Sequence, residues 1–383
     1  MFGVWKSIII VRLCQIIDKS RAFLFPGKRE VFVPKNILII NVQGVGDMVI
    51  FTPVVEALKR KFPTTSITML TSSYGAAVLE NNPFVTKIIS EDNINTISLK
   101  SYSKLLKRIR AEKFDCVIDT SFTCLSIKQM LLPYISGAQQ RIAYARGGFC
   151  HFLPSHQLLW KQEHVMEMYA QIANLFGAPI TLTPKLFPRK EDNVWAKNYV
   201  RKMKRPLLII HPSCQGKEKI WPAENFEKLI RKMQRKYSGT YIITAISKEK
   251  EAIEIIEKNL EKKMYVLMDA SVLQIAALLE EANLLVSIDT GVVHIATATK
   301  TPTVCIYGRT GQLFWHPYNK NQIVVQNEPC AVTGNNPNPY QVIEYLDPCP
   351  IHGKDCIRAV TVEEVEKAVE IFFKKKRHKE LKL

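Results

Sequence analysis

From Asn36 onward, short runs that are apolar on both faces alternate with longer stretches of helical period, and this alternation is the feature that most narrows the possible folds. "NILIINV" is a strand of the buried, parallel-sheet kind, and "VIFTPVVEALKRKFP" reads as a helix stopping before Pro63. "GVGDM" between them reads as a tight turn. "SITMLTS", "NNPFVTKIIS", "YSKLLKRIRAEK" and "FDCVIDTS" continue the series as strand, turn plus strand, helix and strand. Strands separated by helices imply βαβ units with helices on both faces of a parallel sheet.

A less regular region runs from about 125 to 200, and "TLTPKLFPRKED", rich in proline and charge, reads as a connection. A second series then opens with "PLLIIHPS" and runs through "ENFEKLIRKMQRKY", "TYIITAIS", "KEKEAIEIIEKNL", "MYVLMD", "VLQIAALLEEA", "NLLVSID" and "TPTVCIYG". The expected fold class is therefore α/β, with two Rossmann-like domains whose parallel sheets face a central cleft. The expected boundaries are an extension over 1–35, a first domain over 36–185, a linker over 186–204, a second domain over 205–365 and a basic helix or tail over 366–383. At 383 residues and 47% hydrophobic, the chain is long enough for two cores.

Charge separates the ends from the middle. Residues 1–40 hold seven Lys/Arg against two acids and residues 374–383 six against one, so the ends carry about ten of the net +18. Such ends are either solvated tails or attractors of a polyanion. No paired Cys/His finger spacing and no aromatic RNA-binding signature occurs, which turns the expectation from nucleic acid toward an anionic membrane or glycolipid. In "MFGVWKSIIIVRLCQIIDKSRAFLF" Lys6 and Arg12 break the apolar run below the roughly 20 residues of a spanning helix. It is either an interfacial helix or a packed extension. Nine scattered cysteines without a CxxC pair suit a reducing compartment. Cys330, Cys349 and Cys356 do not have the spacing of a structural zinc site.

Three polar interruptions fall at strand ends, where an open α/β sheet binds its ligands. In "NVQGVGDM", Gly44 and Gly46 permit close backbone approach, and Asp47 is either a reactive carboxylate or a helix N-cap. The third glycine of a dinucleotide fingerprint would fall at Val49, and no P-loop lysine follows. In "HPSCQGKEKIWP", His211, Ser213, Cys214, Lys217 and Lys219 offer hydroxyl, thiol and ammonium groups suited to phosphate, or form an ordinary polar loop beneath Trp221. In "SIDTGVVHIATATK", Thr290 and Gly291 open a helix whose free amides favour an anion. There Asp289 and His294 are either ligand groups or a cap and a core histidine.

Together "ILIINVQGVGDMVIFTPVVEALKRKFP", "HPSCQGKEKIWPAENFEKL" and "SIDTGVVHIATATKTPTVCIYG", in this order, resemble segments of glycosyltransferase family 9, the lipopolysaccharide heptosyltransferases; the similarity covers roughly residues 36–365. The resemblance implies a GT-B architecture, with acceptor on the first domain and nucleotide-sugar on the second. It implies transfer of heptose from ADP-heptose to the lipid A-core glycolipid at the cytoplasmic face of the bacterial inner membrane. By motif, Asp47 is implied as the catalytic base and Lys219 as the diphosphate contact. Ser213, Cys214, Asp289, Thr290, Gly291 and His294 are implied as donor-binding, and Glu249, by a looser match, as a neighbour of the nucleoside. Ala245-Ile246 replaces a glycine pair common in the family. No D-x-D pair occurs in the chain, so the implied scheme uses no metal and no cofactor. The rivals are a catalytically weak nucleotide-sugar or glycolipid binder at the membrane and a nicotinamide-dependent oxidoreductase.

Overall fold

The computed structural model describes residues 32–92, 94, 96–121, 127–144, 155–159, 161, 163–214, 216, 219–308, 312–326 and 356–380. The expectations for residues 1–31, Lys217, Cys330 and Cys349 lie outside them. Contacts divide the chain into two compact units, Met1–Gly44 with Phe51–Leu182 and Val45–Ile50 with Thr183–Leu383.

The first unit is built on strands β1 (Asn36–Asn41), β2 (Ser66–Thr71), β3 (Lys87–Ser90), β4 (Cys116–Asp119), β5 (Gln140–Tyr144) and β6 (His156–Leu158). All its pairings are parallel, and the order is β3-β2-β1-β4-β5-β6. Its helices are α1 (Val45–Lys61, of which Val45–Ile50 belong to the second unit), α2 (Ser73–Leu79), α3 (Leu99–Ala111), α4 (Ile127–Ile135) and α5 (Val165–Leu175). Residues 37–40 are wholly buried, as an inner strand covered on both faces requires. Each such aliphatic side chain contributes roughly 1.5–3 kcal/mol by leaving water.

The second unit repeats the plan. α6 (Lys190–Val200) precedes β7 (Leu207–His211), then α7 (Ala223–Lys236), β8 (Thr240–Ala245), α8 (Lys250–Glu257), β9 (Tyr265–Met268), α9 (Val272–Glu281) and β10 (Leu284–Ile288). There follow α10 (Gly291–Thr299), β11 (Thr303–Ile306), α11 (Gln312–Trp315), β12 (Gln322–Val325) and α12 (Val362–Glu380). The parallel order is β12-β11-β10-β7-β8-β9. Counted from each unit's own first strand, both sheets read 3-2-1-4-5-6, the doubly wound order whose chain direction reverses between strands 1 and 4. That switch point lies between β1 and β4 in one unit and between β7 and β10 in the other.

Three expectations change. α1 begins at Val45, so "GVGDM" holds its N-cap and first turn; the N-cap is Gly44, without a side-chain bond, and Asp47 is an acid within the first turn instead of the N-cap. The linker placed at 186–204 contains α6, which packs on α9. The boundary at 365 falls inside α12, whose Val365, Ala368 and Val369 join the second core. Trp221 anchors that core: it is fully buried, and its indole N–H donates to the Val360 carbonyl at 2.9 Å. Among the described residues no helix is long and apolar enough to cross a membrane.

Candidate active site

The carboxyl ends of β7 and β10, neighbours at the switch point of the second sheet, carry the two richest motifs of the sequence. After β7 the chain continues through His211, Pro212, Ser213 and Cys214. The His211 ring lies 2.9 Å from Thr244 Oγ1, and desolvation outweighs its hydrogen bonds to bring its pKa down to about 4. Ser213 is only 7% exposed, and among the described residues its hydroxyl has no partner. An orphaned buried hydroxyl is costly unless something else completes it. The Cys214 thiol donates to the Gly216 carbonyl at 3.0 Å, so it closes the loop on itself. The expectation that it faces a phosphate gains nothing from that geometry.

Lys219 reaches from this loop to the other motif. Its Nζ donates to Asp289 Oδ2 at 2.9 Å, with the lysine side chain 30% exposed and the aspartate 6%. Asp289 is therefore not a helix cap. Its own amide donates to the Ile306 carbonyl, extending the β10–β11 ladder. Thr290 holds the N-cap position with no side-chain cap bond; the Val293 amide donates back to the Thr290 carbonyl at 3.1 Å, so the Gly291 and Val292 amides are the ones that, among the described residues, suit an anion. Behind Asp289 stands Tyr307, wholly buried, its hydroxyl donating to the Trp315 carbonyl at 2.8 Å. Burial first, and then the Asp289 charge, holds its pKa well above the usual phenol value. The buried Cys305 thiol is raised for the same two reasons.

His294 is 4% exposed, and its Nδ1 has no partner among the described residues. Desolvation lowers its pKa to about 4 against the opposing charge of Asp289, so it is a neutral ring near pH 7. The ring is also a packing surface. A methyl group at Gly46 would lie 2.6 Å from His294 Cδ2, and one at Gly291 would lie 2.9 Å from Val45 Cβ and 3.1 Å from the Gly46 nitrogen. Both positions must therefore be glycine for the first turn of α1 to sit against that of α10. Gly46 serves the histidine, where the sequence suggested a ligand. Val45–Ile50 group with the second unit, and Asp47 is thus the residue next to this contact.

Glu249 lies in the 3-10 turn Ser247–Glu249 after β8, beside β7 in the sheet, and its carboxylate accepts the Ile246 amide at 3.3 Å. Among the described residues no bond joins it to Lys219 or Asp289. The structure thus brings together Gly46, Lys219, Asp289, Gly291 and His294, places Asp47 next in chain to Gly46, and sets Ser213 at the adjoining strand end. It adds Tyr307, which the sequence did not single out, to His211, which stood only among the polar groups following β7. Their signal was available: each closes an apolar strand at its carboxyl end, where a polar side chain needs a reason. Among the described residues no three His, Cys, Asp or Glu side chains gather as a metal site. What the arrangement can do is hold an anion, with one lysine, one helix N-terminus and one unsatisfied hydroxyl converging on the ends of adjacent strands.

Residues 102–343 match the model of glycosyltransferase family 9 (heptosyltransferase). Lipopolysaccharide heptosyltransferase 3 of Escherichia coli strain K12 is 26% identical over 301 residues, spanning 73% of this chain and 84% of that protein. Among solved structures, a glycosyltransferase family 9 protein of Veillonella parvula superposes with a TM-score of 0.72 at 20% identity, covering 90% of this chain and 98% of that one. The E. coli heptosyltransferase WaaC with ADP superposes with a TM-score of 0.66 at 17% identity, covering 88% and 99%.

Proposed function

The chain belongs to glycosyltransferase family 9, the heptosyltransferases, and from that premise we propose that it moves heptose from ADP-heptose onto the core of a lipopolysaccharide, inverting the anomeric centre. The observation that carries this reading is the Lys219–Asp289 pair beside the N-terminus of α10, which no side chain caps, with the Ser213 hydroxyl, unpartnered among the described residues, at the adjoining strand end. The ADP bound to a structural relative, and the acceptor in the name of the E. coli relative, supply the two substrate classes.

In this reading the donor diphosphate lies over the α10 amides and takes a share of the Lys219 ammonium. The acceptor hydroxyl approaches the anomeric carbon from the side opposite the leaving group. Asp47 accepts the hydroxyl proton as the new C–O bond forms. The bond from the anomeric carbon to the β-phosphate oxygen breaks, and its electron pair leaves on ADP. Lys219 and the Gly291 amide stabilise that growing charge. A carboxylate of ordinary acidity is a weak base for an alcohol, so proton transfer is late. His294 stays neutral and keeps the α1 and α10 turns together. No metal takes part, and chelation should leave the rate unchanged. The enzyme would work peripherally at the inner face of the bacterial inner membrane, where a lipid-linked acceptor is presented.

Asp47→Asn tests the assignment. Turnover, read as ADP release from ADP-heptose with a core-truncated acceptor, should fall about 10²–10⁴-fold, with ADP affinity within about twofold of the parent. A mutant at full rate would remove Asp47 as the base. A parent protein that binds ADP-heptose yet releases no ADP with acceptor would favour the catalytically weak binder instead.

A further inference from the structure

Helix α3, Leu99–Ala111, has the sequence LKSYSKLLKRIRA, with five cations and no acid. Tyr102, Leu105 and Ile109 point into the first core. At 100° per residue, Lys100, Lys104 and Lys107 fall on the opposite side, with Arg108 and Arg110 at its margins. Arg110 donates to the Ile135 carbonyl, but among the described residues Lys100, Lys104, Lys107 and Arg108 lie in no ion pair. Like charges at i,i+3 and i,i+4 repel and weaken a helix, so this face costs stability unless something anionic meets it.

Helix α7 shows that the chain can neutralise such a face. There Arg231 pairs with Glu227, Lys232 with Glu363 and Glu366, Arg235 with Glu261, and Lys236 with Glu366 and Glu370. Among the described residues the basic side chains of α3 have no carboxylate partner.

We infer that the solvent face of α3 is the surface by which the first unit meets an anionic lipid leaflet. Lys100, Lys104, Lys107 and Arg108 form a stripe roughly 12 Å long that faces lipid phosphates. Lipid is favoured over nucleic acid because the face presents no aromatic ring for base stacking; its one tyrosine, Tyr102, is buried. The choice of partner rests on the reading of a lipid-linked acceptor.

The test uses the full chain and sedimentation with vesicles of equal parts phosphatidylglycerol and phosphatidylethanolamine at low salt, with vesicles of neutral lipid as the blank. K100E/K104E/K107E should bind the anionic vesicles at least about tenfold more weakly, while K202E/K258E/K263E, the same charge change in the second unit, should bind nearly as the parent does. K100Q/K104Q/K107Q, which adds no acid, should show a smaller loss and guards against misfolding of the first variant. Unchanged binding in both α3 variants overturns the inference, as does equal loss in the second-unit control. An RNA oligonucleotide retained by the parent and lost in the α3 variant, without vesicle binding, also overturns it. ADP release with a delipidated, soluble core oligosaccharide is read in parallel. It should be unchanged in the α3 variants, and its absence in the parent would defeat the transfer reading while leaving the vesicle result to stand or fall alone.

Discussion

The same dipeptide ends the fourth strand of both sheets, and the two units treat it in opposite ways. In the first, β4 runs into Asp119-Thr120-Ser121; in the second, β10 runs into Asp289-Thr290-Gly291. Asp119 is wholly buried and turned inward: its Oδ1 accepts the Ser121 amide at 3.0 Å and the Ser121 hydroxyl at 2.6 Å, while Gln129 donates to that hydroxyl. Thr120 donates back to the Ile40 carbonyl of β1. Asp289 instead receives a lysine from the neighbouring strand's loop, and Thr290 spends no side-chain bond on the helix it opens. One residue accounts for much of the contrast. A serine supplies the local hydroxyl that closes the loop, whereas Gly291 supplies none and admits Val45 at close quarters. A strand end wired to itself supports the sheet, and one answered by a partly exposed lysine can exchange that partner for a ligand.

The largest expected effect comes from acid, and it bears on the second unit. His211 and His294 are held at about pKa 4, against an ordinary value of 6.5. Because the folded values are depressed, the unfolded chain takes up these protons first. The stability tied to the neutral rings is complete above pH 6.5 and is lost as pH falls toward 4. From pH 7 to pH 5 each ring should cost about 2 kcal/mol, about 4 for the pair. Guanidinium unfolding followed by tryptophan fluorescence, with Trp195, Trp221 and Trp315 as reporters, measures it. In His294→Gln about half of the pH dependence should vanish; an unaltered dependence would mean that the ring is not the buried neutral group described.

Lys219→Ala probes the exchangeable pair directly. It removes a charge-assisted contact to the donor diphosphate, and ADP affinity by calorimetry should weaken about 10–100-fold. Unchanged affinity would show that Lys219 only balances Asp289, and the contrast with the closed loop at Asp119 would then concern stability alone.

Much of this was legible in the sequence, for physical reasons that also mark where it ended. Parallel strands covered on both faces must be apolar throughout, so β1, β2, β7, β8 and β10 announce themselves. The loops of the second unit stand out because Asp289 and His294 interrupt such a run. The start of α1 was not legible: Gly44-Val45-Gly46 has poor helix propensity, and its helical turn relies on His294 and Gly291, more than 240 residues away in the chain. α6 was hidden because its charged, proline-flanked sequence has little local pattern, and Trp195 stacked on Tyr199 helps define it only once folded. Cys214 looked like a phosphate neighbour because spacing cannot show that a thiol is already donating to Gly216.

The smallest expected effect returns to the third residue of the repeated motif. Ser121→Gly turns the first unit's Asp-Thr-Ser into the second unit's Asp-Thr-Gly. It removes the 2.6 Å hydroxyl bond to Asp119 and takes away the acceptor used by Gln129, leaving a buried carboxylate with fewer donors. The amide of residue 121 still reaches Asp119 Oδ1, so the loss should be partial, about 1–2 kcal/mol by thermal or denaturant unfolding. ADP affinity should not change, because the bonds removed belong to the end of β4 in the first sheet, while Lys219, Asp289 and the start of α10 all lie in the second unit. A fall in ADP affinity equal to the loss in stability would show that the two strand ends are energetically linked, and the inward-wired loop would then have to be counted as part of the site.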